Sequence, residues 1–471
     1  MIAAIGATIP AILLGWLIVR LLSPNRKRAW LDWVFEISLG AGVGLGLTAC
    51  VFFAMVLAGI ASRAALFAVE LVAIAVVAML LRRNRTAASE VASPQSSSQP
   101  SPWIWILRIA AAVGLVSMCL SFSETIATNP NGEWDAFSIW NVRAKYLAGG
   151  SPAWRNAFAS NLAGGMIGAA HPGYPLLVSA SVARVWTLTG ETSDAAPAAI
   201  SLLFTLAACG LLAGAIAAAT NEMFGWLALL VLIATDAFAT QAAFQYSDVP
   251  LAFFILATIA IAAAAERAGW SPGLLALTGL VAGFAAFTKN EGLPFALLIA
   301  IVALWRARGA FLWLPAGAIP GIAATLAVKL MAQGTEAILP KTAGEALHKI
   351  AEPSRWMQIL KSFAVHFGEM GVWWAHPLLL LVILAAVLGL ISRQDARSRA
   401  WLALPIVGLL AADFALYLVT TAELSWHLNT SNSRVILQVW PAMIFVAFLM
   451  LRPPAEPTPA VAKPTKGSAR K

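Results

Sequence analysis

The sequence predicts an all-α, polytopic membrane protein with about 13 transmembrane helices, on three observations. Of its 471 residues, 60% are hydrophobic and 11% charged, against roughly 45–50% apolar and 25% charged in soluble domains. Apolar runs of about 20 residues recur along nearly the whole chain, each long enough to cross a hydrocarbon layer of about 30 Å as a helix. None shows the alternation of a barrel strand, so helices are the spanning form.

The charges sit at the ends of those runs. A net charge of +9 distributed in this way sets topology rather than gripping nucleic acid, and it makes membrane lipids the surroundings. The first run, Met1 to Leu22, lacks the basic start and small-residue cleavage site of a signal peptide and reads as a retained helix. Cys50, Cys119 and Cys209 each lie inside an apolar run, with neither metal-ligand nor disulfide spacing, and read as small buried hydrophobes.

Lys and Arg gather in six places: Arg26-Lys27-Arg28, Arg82-Arg83-Asn84-Arg85, Arg267, Arg306 with Arg308, Arg393 with Arg397 and Arg399, and the tail from Arg452 to Lys471. Short cytoplasmic loops are enriched in these residues. Setting all six inside puts the N-terminus outside and the C-terminus inside. The spans are then 2–22, 34–60, 64–81, 104–122, 197–219, 224–243, 249–265, 273–287, 292–305, 311–331, 376–392, 400–420 and 435–451.

The segment from His171 to Gly190 decides the parity. It carries Arg184 near its middle and Pro172 and Pro175 at its start. A charge there costs about 2.5–3.5 kcal/mol on insertion scales, so an interfacial or re-entrant helix is expected in place of a span. The chain divides into a three-helix membrane extension (1–89), a flexible Ser/Gln/Pro-rich linker (90–102), a transmembrane domain (103–452) and a disordered basic tail (453–471).

On this topology two long loops face outward, Ser123 to Gly190 and Gln333 to Ala375. Long ordered loops carry function more often than short ones. The first holds Glu133 and Asp135 on either side of Trp134, just past a helix exit. Shorter outer turns contribute Tyr246-Ser247-Asp248, Thr288-Lys289-Asn290-Glu291-Gly292 and the stretch from Trp426-His427 to Arg434. The second long loop mixes Lys341, Lys349 and Lys361 with Trp356, Trp373 and Trp374, a composition suited to a helix at the headgroup level, either as an anchor or as a gate for lipid entry.

The order of these pieces resembles the GT-C superfamily of membrane glycosyltransferases. The series is an acid in the first large outer loop, His171-Pro172-Gly173-Tyr174-Pro175, Tyr246-Ser247-Asp248, the Lys289–Glu291 turn, and Arg434 before the last helix. It is most similar to glycosyltransferase family 39 and its relatives, the protein O-mannosyltransferases and aminoarabinose transferases. The resemblance covers residues 103–451 and leaves the first three helices as an addition. It implies a GT-C-like fold and transfer of a sugar from a polyprenyl-phosphate donor to a glycan, lipid or protein acceptor. The site would face the periplasm or exterior of a cytoplasmic (inner) membrane.

Such a transfer needs no general acid, because the leaving phosphate is already a stable anion. One carboxylate base and fixed cations suffice. The resemblance gives the base role to Asp135. The family's usual adjacent Asp-Glu pair is here split by Trp134, which leaves Glu133 as the competing candidate. Asp248 matches the second-loop acid of the family or simply caps its helix. Lys289 would hold the lipid phosphate, or form a local ion pair with Glu291. Arg434 would grip phosphate oxygens bidentately, or snorkel from a helix end. His171 and His427 are outer histidines with either a substrate-binding or a purely structural place. Two carboxylates suit Mg²⁺ or Mn²⁺, but the sequence offers no third ligand and no cofactor is assigned. A transporter or flippase of lipid-linked sugars and a non-catalytic assembly subunit are the competing classes. The one-sided polar residues and the lack of matched helix interruptions weigh against the first.

Overall fold

The computed structural model describes residues 1–23, 30–85, 102–159, 171–333 and 339–454. The basic cluster Arg26-Lys27-Arg28, nearly all of the expected linker at 90–102 and nearly all of the expected tail at 453–471 lie outside the described residues. Among the described residues there are helices and no strands.

The helices are α1 (Ile2–Leu22), α2 (Trp30–Leu57), α3 (Arg63–Arg85), α4 (Pro102–Thr128), α5 (Val142–Ala148), α6 (Leu177–Thr189), α7 (Ala195–Ala219), α8 (Glu222–Ile233), α9 (Asp236–Ala243) and α10 (Asp248–Arg267). They continue as α11 (Pro272–Thr288), α12 (Gly292–Ala307), α13 (Trp313–Met331), α14 (Ala343–Ile350), α15 (Pro353–Gly368), α16 (Pro377–Leu388), α17 (Arg393–Arg399), α18 (Leu404–Val419) and α19 (Leu424–Met450). Ten helical segments of the described residues are individually long and apolar enough to cross a membrane. Counting the bent pairs α8/α9 and α15/α16 as one span each gives 12. The shortfall from the expected 13 is α11, an apolar helix of 17 residues. The chain is a multi-pass α-helical membrane protein.

Small residues set how closely the helices approach. Gly279 and Gly283 of α11 sit against the backbone at Leu314 and Ala318 of α13, and Gly317 and Gly321 of α13 sit against Ala276 and Gly283. A Cβ at these positions would collide with the facing backbone, so only glycine permits the contact, as is usual where helices associate in lipid. Gly15, Gly40 and Gly44 bring α1 and α2 together in the same way. α2 is wedged inward from there: Gly42 meets Phe253 of α10 and Gly46 meets Phe284 of α11. α10 is buried almost end to end at the centre of the bundle. By contrast α3 and α4 turn long rows of apolar side chains outward, including Leu71, Val72, Met79, Ile109, Val113 and Leu120, as helices bordering lipid do.

Side-chain contacts sort the helix ends into two layers. At one end Arg108 of α4 donates twice to Glu222 of α8, which also accepts from Trp30 of α2 and Trp226. Glu266 of α10 joins Arg306 of α12 and Trp401, and Arg399 donates to the Leu449 carbonyl of α19 at 2.7 Å. These are the ends that the sequence placed on the basic side. At the other end the Gln333 amide donates to the Phe158 carbonyl, and Lys349 of α14 to the Thr420 carbonyl beyond α18.

Helix α6 has 13 residues and spans about 20 Å, too little to cross the hydrocarbon layer. It is an inserted helix, not one lying on the surface, since all but one of the positions from Leu177 to Leu188 are buried. Arg184 is tolerated there because Glu70 of α3 takes its guanidinium in two bonds of 2.6 Å, and the Ala7 carbonyl accepts a third. The last helix departs from expectation. The outer loop expected at Thr421 to Ser433 is helical from Leu424 onward, because Glu423 caps the helix by accepting from the Ser425 and Trp426 amides. Arg434 therefore lies in the third turn of α19 and not at its start.

Candidate functional site

Asp135, Asp248, Lys289, Glu291 and Arg434 come from four separated stretches of chain and meet in one network at the end opposite the basic loops. Asp248 is its centre. Its Oδ1 accepts from Lys289 Nζ at 2.9 Å and from Gln438 Nε2 at 2.7 Å, and its Oδ2 accepts from Arg434 Nη2 at 2.9 Å and Nε at 3.1 Å. Arg434 Nη2 also reaches Asp135 Oδ2 at 2.6 Å. Lys289 Nζ also reaches Glu291 Oε1 at 2.9 Å, and Gln438 Nε2 lies 3.3 Å from the same oxygen.

Local sequence explains each placement. Asp248 opens α10, with Ser247 in the cap position, so its carboxylate faces the cations instead of capping the helix as the alternative reading had it. Thr288 ends α11, Lys289 adopts an extended conformation and α12 restarts at Gly292, whose missing Cβ lets the turn close on the Ala285 carbonyl. His427, Ser431, Arg434 and Gln438 recur at helical spacing and share one stripe of α19. The first loop is strapped to the α9–α10 turn. The Glu133 amide donates to the Phe244 carbonyl at 3.2 Å, Asn141 donates to Gln245, and Gln245 donates to the Pro130 carbonyl at 3.0 Å. Asp135 leads into a π-helical turn, Ala136–Asn141, a geometry frequent at functional sites.

The two first-loop acids part company. Asp135 joins the network, whereas Glu133 accepts from Asn129 Nδ2 at 3.0 Å. Exposure separates Asp135 from Asp248: their side chains are 18% and 0% accessible, so only the first can meet a substrate without rearrangement. Burial alone would lower Lys289, but Asp248 and then Glu291 outweigh it and hold the ammonium above the ordinary lysine range. Tyr246 lies under the Arg434 guanidinium at 4.5 Å; burial and then the Asp135 charge push its phenol up to about 12.

Both histidines pack against tyrosine rings. The His171 ring stacks on Tyr174 at 4.4 Å, and His427 Nδ1 lies 3.1 Å from Thr420 Oγ1 with its ring edge-on to Tyr417. Among the described residues no three His, Cys, Asp or Glu side chains gather to hold a metal ion. Asp135 and Asp248 share the Arg434 guanidinium between them, which stands where an ion bridging the two would bind.

Several participants escape a sequence reading. Gln438 is one helical turn beyond Arg434, and that spacing was the available signal. Asp413 is buried inside α18 with Oδ2 lacking a hydrogen-bond partner among the described residues, a marked feature for a membrane helix. Tyr174 stood in the His171–Pro175 motif without a role of its own, and Arg143 and Lys329 carried no signal, because their places depend on how distant loops fold together. The exposed Trp356, Trp373 and Trp374 lie near this end, where Arg355 staples α15 to the Tyr417 and Leu418 carbonyls at 2.9 Å each.

No protein-family model matches the chain, and no curated protein or solved structure matches it.

Proposed function

We propose that the chain is a membrane glycosyltransferase of GT-C type, which moves a sugar from a polyprenyl-phosphate donor to an acceptor at the outer face of a cytoplasmic membrane. The observation that carries this reading is the network itself. Four residues singled out in the sequence, Asp135, Asp248, Lys289 and Arg434, are joined by ion pairs of 2.6–2.9 Å at the end away from the basic loops. A bundle that only anchored partners would gain nothing from concentrating three carboxylates and two cations there, since such groups are costly to desolvate.

In this reading the acceptor hydroxyl is oriented by Asp135, which takes its proton as the oxygen attacks the anomeric carbon. The bond from that carbon to the phosphate oxygen breaks in the same displacement, the centre inverts, and the polyprenyl phosphate leaves with the electron pair. Arg434 fixes the Asp135 carboxylate, and Asp248 fixes Arg434. Lys289 and Gln438 hold Asp248 from its other oxygen, so the base is preorganised through two layers of hydrogen bonds.

The test is sugar transfer by the purified chain in nanodiscs, supplied with a panel of polyprenyl-phosphate hexoses and pentoses and a membrane-lipid extract as acceptor. Release of polyprenyl phosphate that Asp135→Asn abolishes is the expected result. No release from any donor, with the protein folded, refutes the proposal.

A further inference from the structure

The network is not an anion site as it stands. Asp135, Asp248 and Glu291 set three carboxylates against Lys289 and Arg434, and both cations are already engaged by them. An incoming phosphate would meet both cations with their charge already balanced by these carboxylates.

A different cation lies one residue away. Lys329, in the last turn of α13, is exposed and donates to Asn290 Oδ1 at 2.6 Å and to the Gly173 carbonyl at 2.7 Å. Both acceptors are neutral, and among the described residues no carboxylate lies in ion-pair range of it. Asn290 stands between Lys289 and Glu291 in the chain, so Lys329 borders the network directly.

Tyr174 follows Gly173, whose carbonyl Lys329 holds. Its ring is held between Trp140 at 5.9 Å and His171 at 4.4 Å, and it lies within electrostatic reach of Glu291, Lys289, Arg434 and Asp135. Its phenol makes no hydrogen bond among the described residues. Arg143 fixes the turn that presents it. The guanidinium is fully buried and donates to the carbonyls of Ala157 at 3.0 Å, His171 at 3.4 Å, Pro172 at 3.0 Å and Tyr174 at 2.7 Å. Spending a buried arginine and two stacked rings on a hydroxyl that has no protein partner is the arrangement of a preorganised donor waiting for a ligand.

We infer that Tyr174 and Lys329 form the subsite for a phosphate group: the phenol donates one neutral hydrogen bond and the ammonium, which no described carboxylate contacts, supplies the charge. This rests on the lipid-phosphate reading of the neighbouring network and moves the phosphate away from Lys289 and Arg434. Lys329, at a helix end and exposed, can meet a headgroup without leaving the membrane interface.

The test measures farnesyl phosphate and farnesol binding to the full chain in phosphatidylcholine nanodiscs, for the wild type, Tyr174→Phe and Lys329→Gln. Each variant is expected to bind farnesyl phosphate about 10-fold more weakly or worse, as loss of a hydrogen bond to a charged group implies, with farnesol binding and thermal midpoint unchanged. Competition by inorganic phosphate separates the sources. Displacement at similar concentration marks a general phosphate site, and weak displacement marks a lipid-phosphate site; either outcome keeps Tyr174 and Lys329 as its donors if the variants lose it. Unchanged farnesyl phosphate affinity in both variants overturns the inference, as does a fall in thermal midpoint with equal loss of both probes, which assigns the pair to structure. Sugar transfer assayed in parallel keeps the readings apart. Phosphate binding that depends on both residues, in a chain that transfers no sugar from any donor, sinks the transferase alone. Transfer at the wild-type rate in both variants sinks the subsite alone.

Discussion

Asp135 and Asp248 share Arg434, yet their substitution should have opposite signatures. Asp248 is wholly buried and accepts from Lys289, Arg434 and Gln438. Asp248→Asn removes the charge that separates two largely buried cations, and breaking a buried pair from one side costs about 3–5 kcal/mol. Glu291 still faces Lys289 and Asp135 still faces Arg434, so the lower end, about 3 kcal/mol, is expected. Asp135 is 18% accessible and leaves Arg434 still paired with Asp248. Its partner is never left uncompensated, so Asp135→Asn should cost about 1 kcal/mol or less. In activity the order reverses. In the proposed transfer reaction Asp135 is the general base, whose loss lowers turnover by about 10²–10⁴-fold, so Asp135→Asn should be folded and inactive. The assay is thermal unfolding of both variants in nanodiscs, beside sugar transfer at a temperature where both are folded. The reasoning fails if Asp135→Asn is the less stable of the two, or if Asp248→Asn matches the wild-type midpoint.

Glu133→Gln should change transfer by less than about 3-fold, since Glu133 bonds Asn129 and takes no part in the ion network; a loss as deep as that of Asp135→Asn would return the base role to Glu133. In α6, Arg184→Met alone should destabilise by about 3–5 kcal/mol by stranding Glu70, and adding Glu70→Leu should recover most of it, read as a coupling in a double-mutant cycle of unfolding midpoints. The raised Lys289 ammonium sets a pH window. A group whose folded value lies above its unfolded value contributes in full below the unfolded value, about 10.4, and loses that contribution as pH rises through the folded one. The Lys289 contribution to stability should therefore be flat from pH 6 to about 10 and fade only in stronger alkali, and Lys289→Met should remove that alkaline limb from the pH profile of the midpoint.

The helical membrane architecture was legible in the sequence because hydrophobic length is a local property. The expected spans fall on helical segments, but 224–243 is broken into α8 and α9, 376–392 pairs at a sharp bend with α15, α11 is shorter than a span, and other boundaries moved. Arg434 shows why they moved: a polar segment ending an apolar run reads as loop, whereas Glu423 caps it and α19 begins 11 residues earlier than the expected 435. The identity of the network was partly legible too, since charged residues are few and those of the outer turns stand out against apolar neighbours. Which acid joins it was not. Glu133 and Asp135 are two residues apart in the same loop, and only the strap from Glu133 and Asn141 to residues 244 and 245 turns one toward Arg434 and the other toward Asn129.

The sequence by itself determined that the chain crosses a membrane many times, that its Lys and Arg gather at alternate helix ends, and that a few acids and cations share the other face. Only the tertiary structure decided their partners. Asp248 is joined to Gln438 across 190 positions and Lys329 to Gly173 across 156, and no periodicity records contacts at such range. Burial decided the rest. The same lysine type is an ion-paired strut at Lys289 and a cation held by neutral oxygens at Lys329, because carboxylates contact the first and none of those described contacts the second.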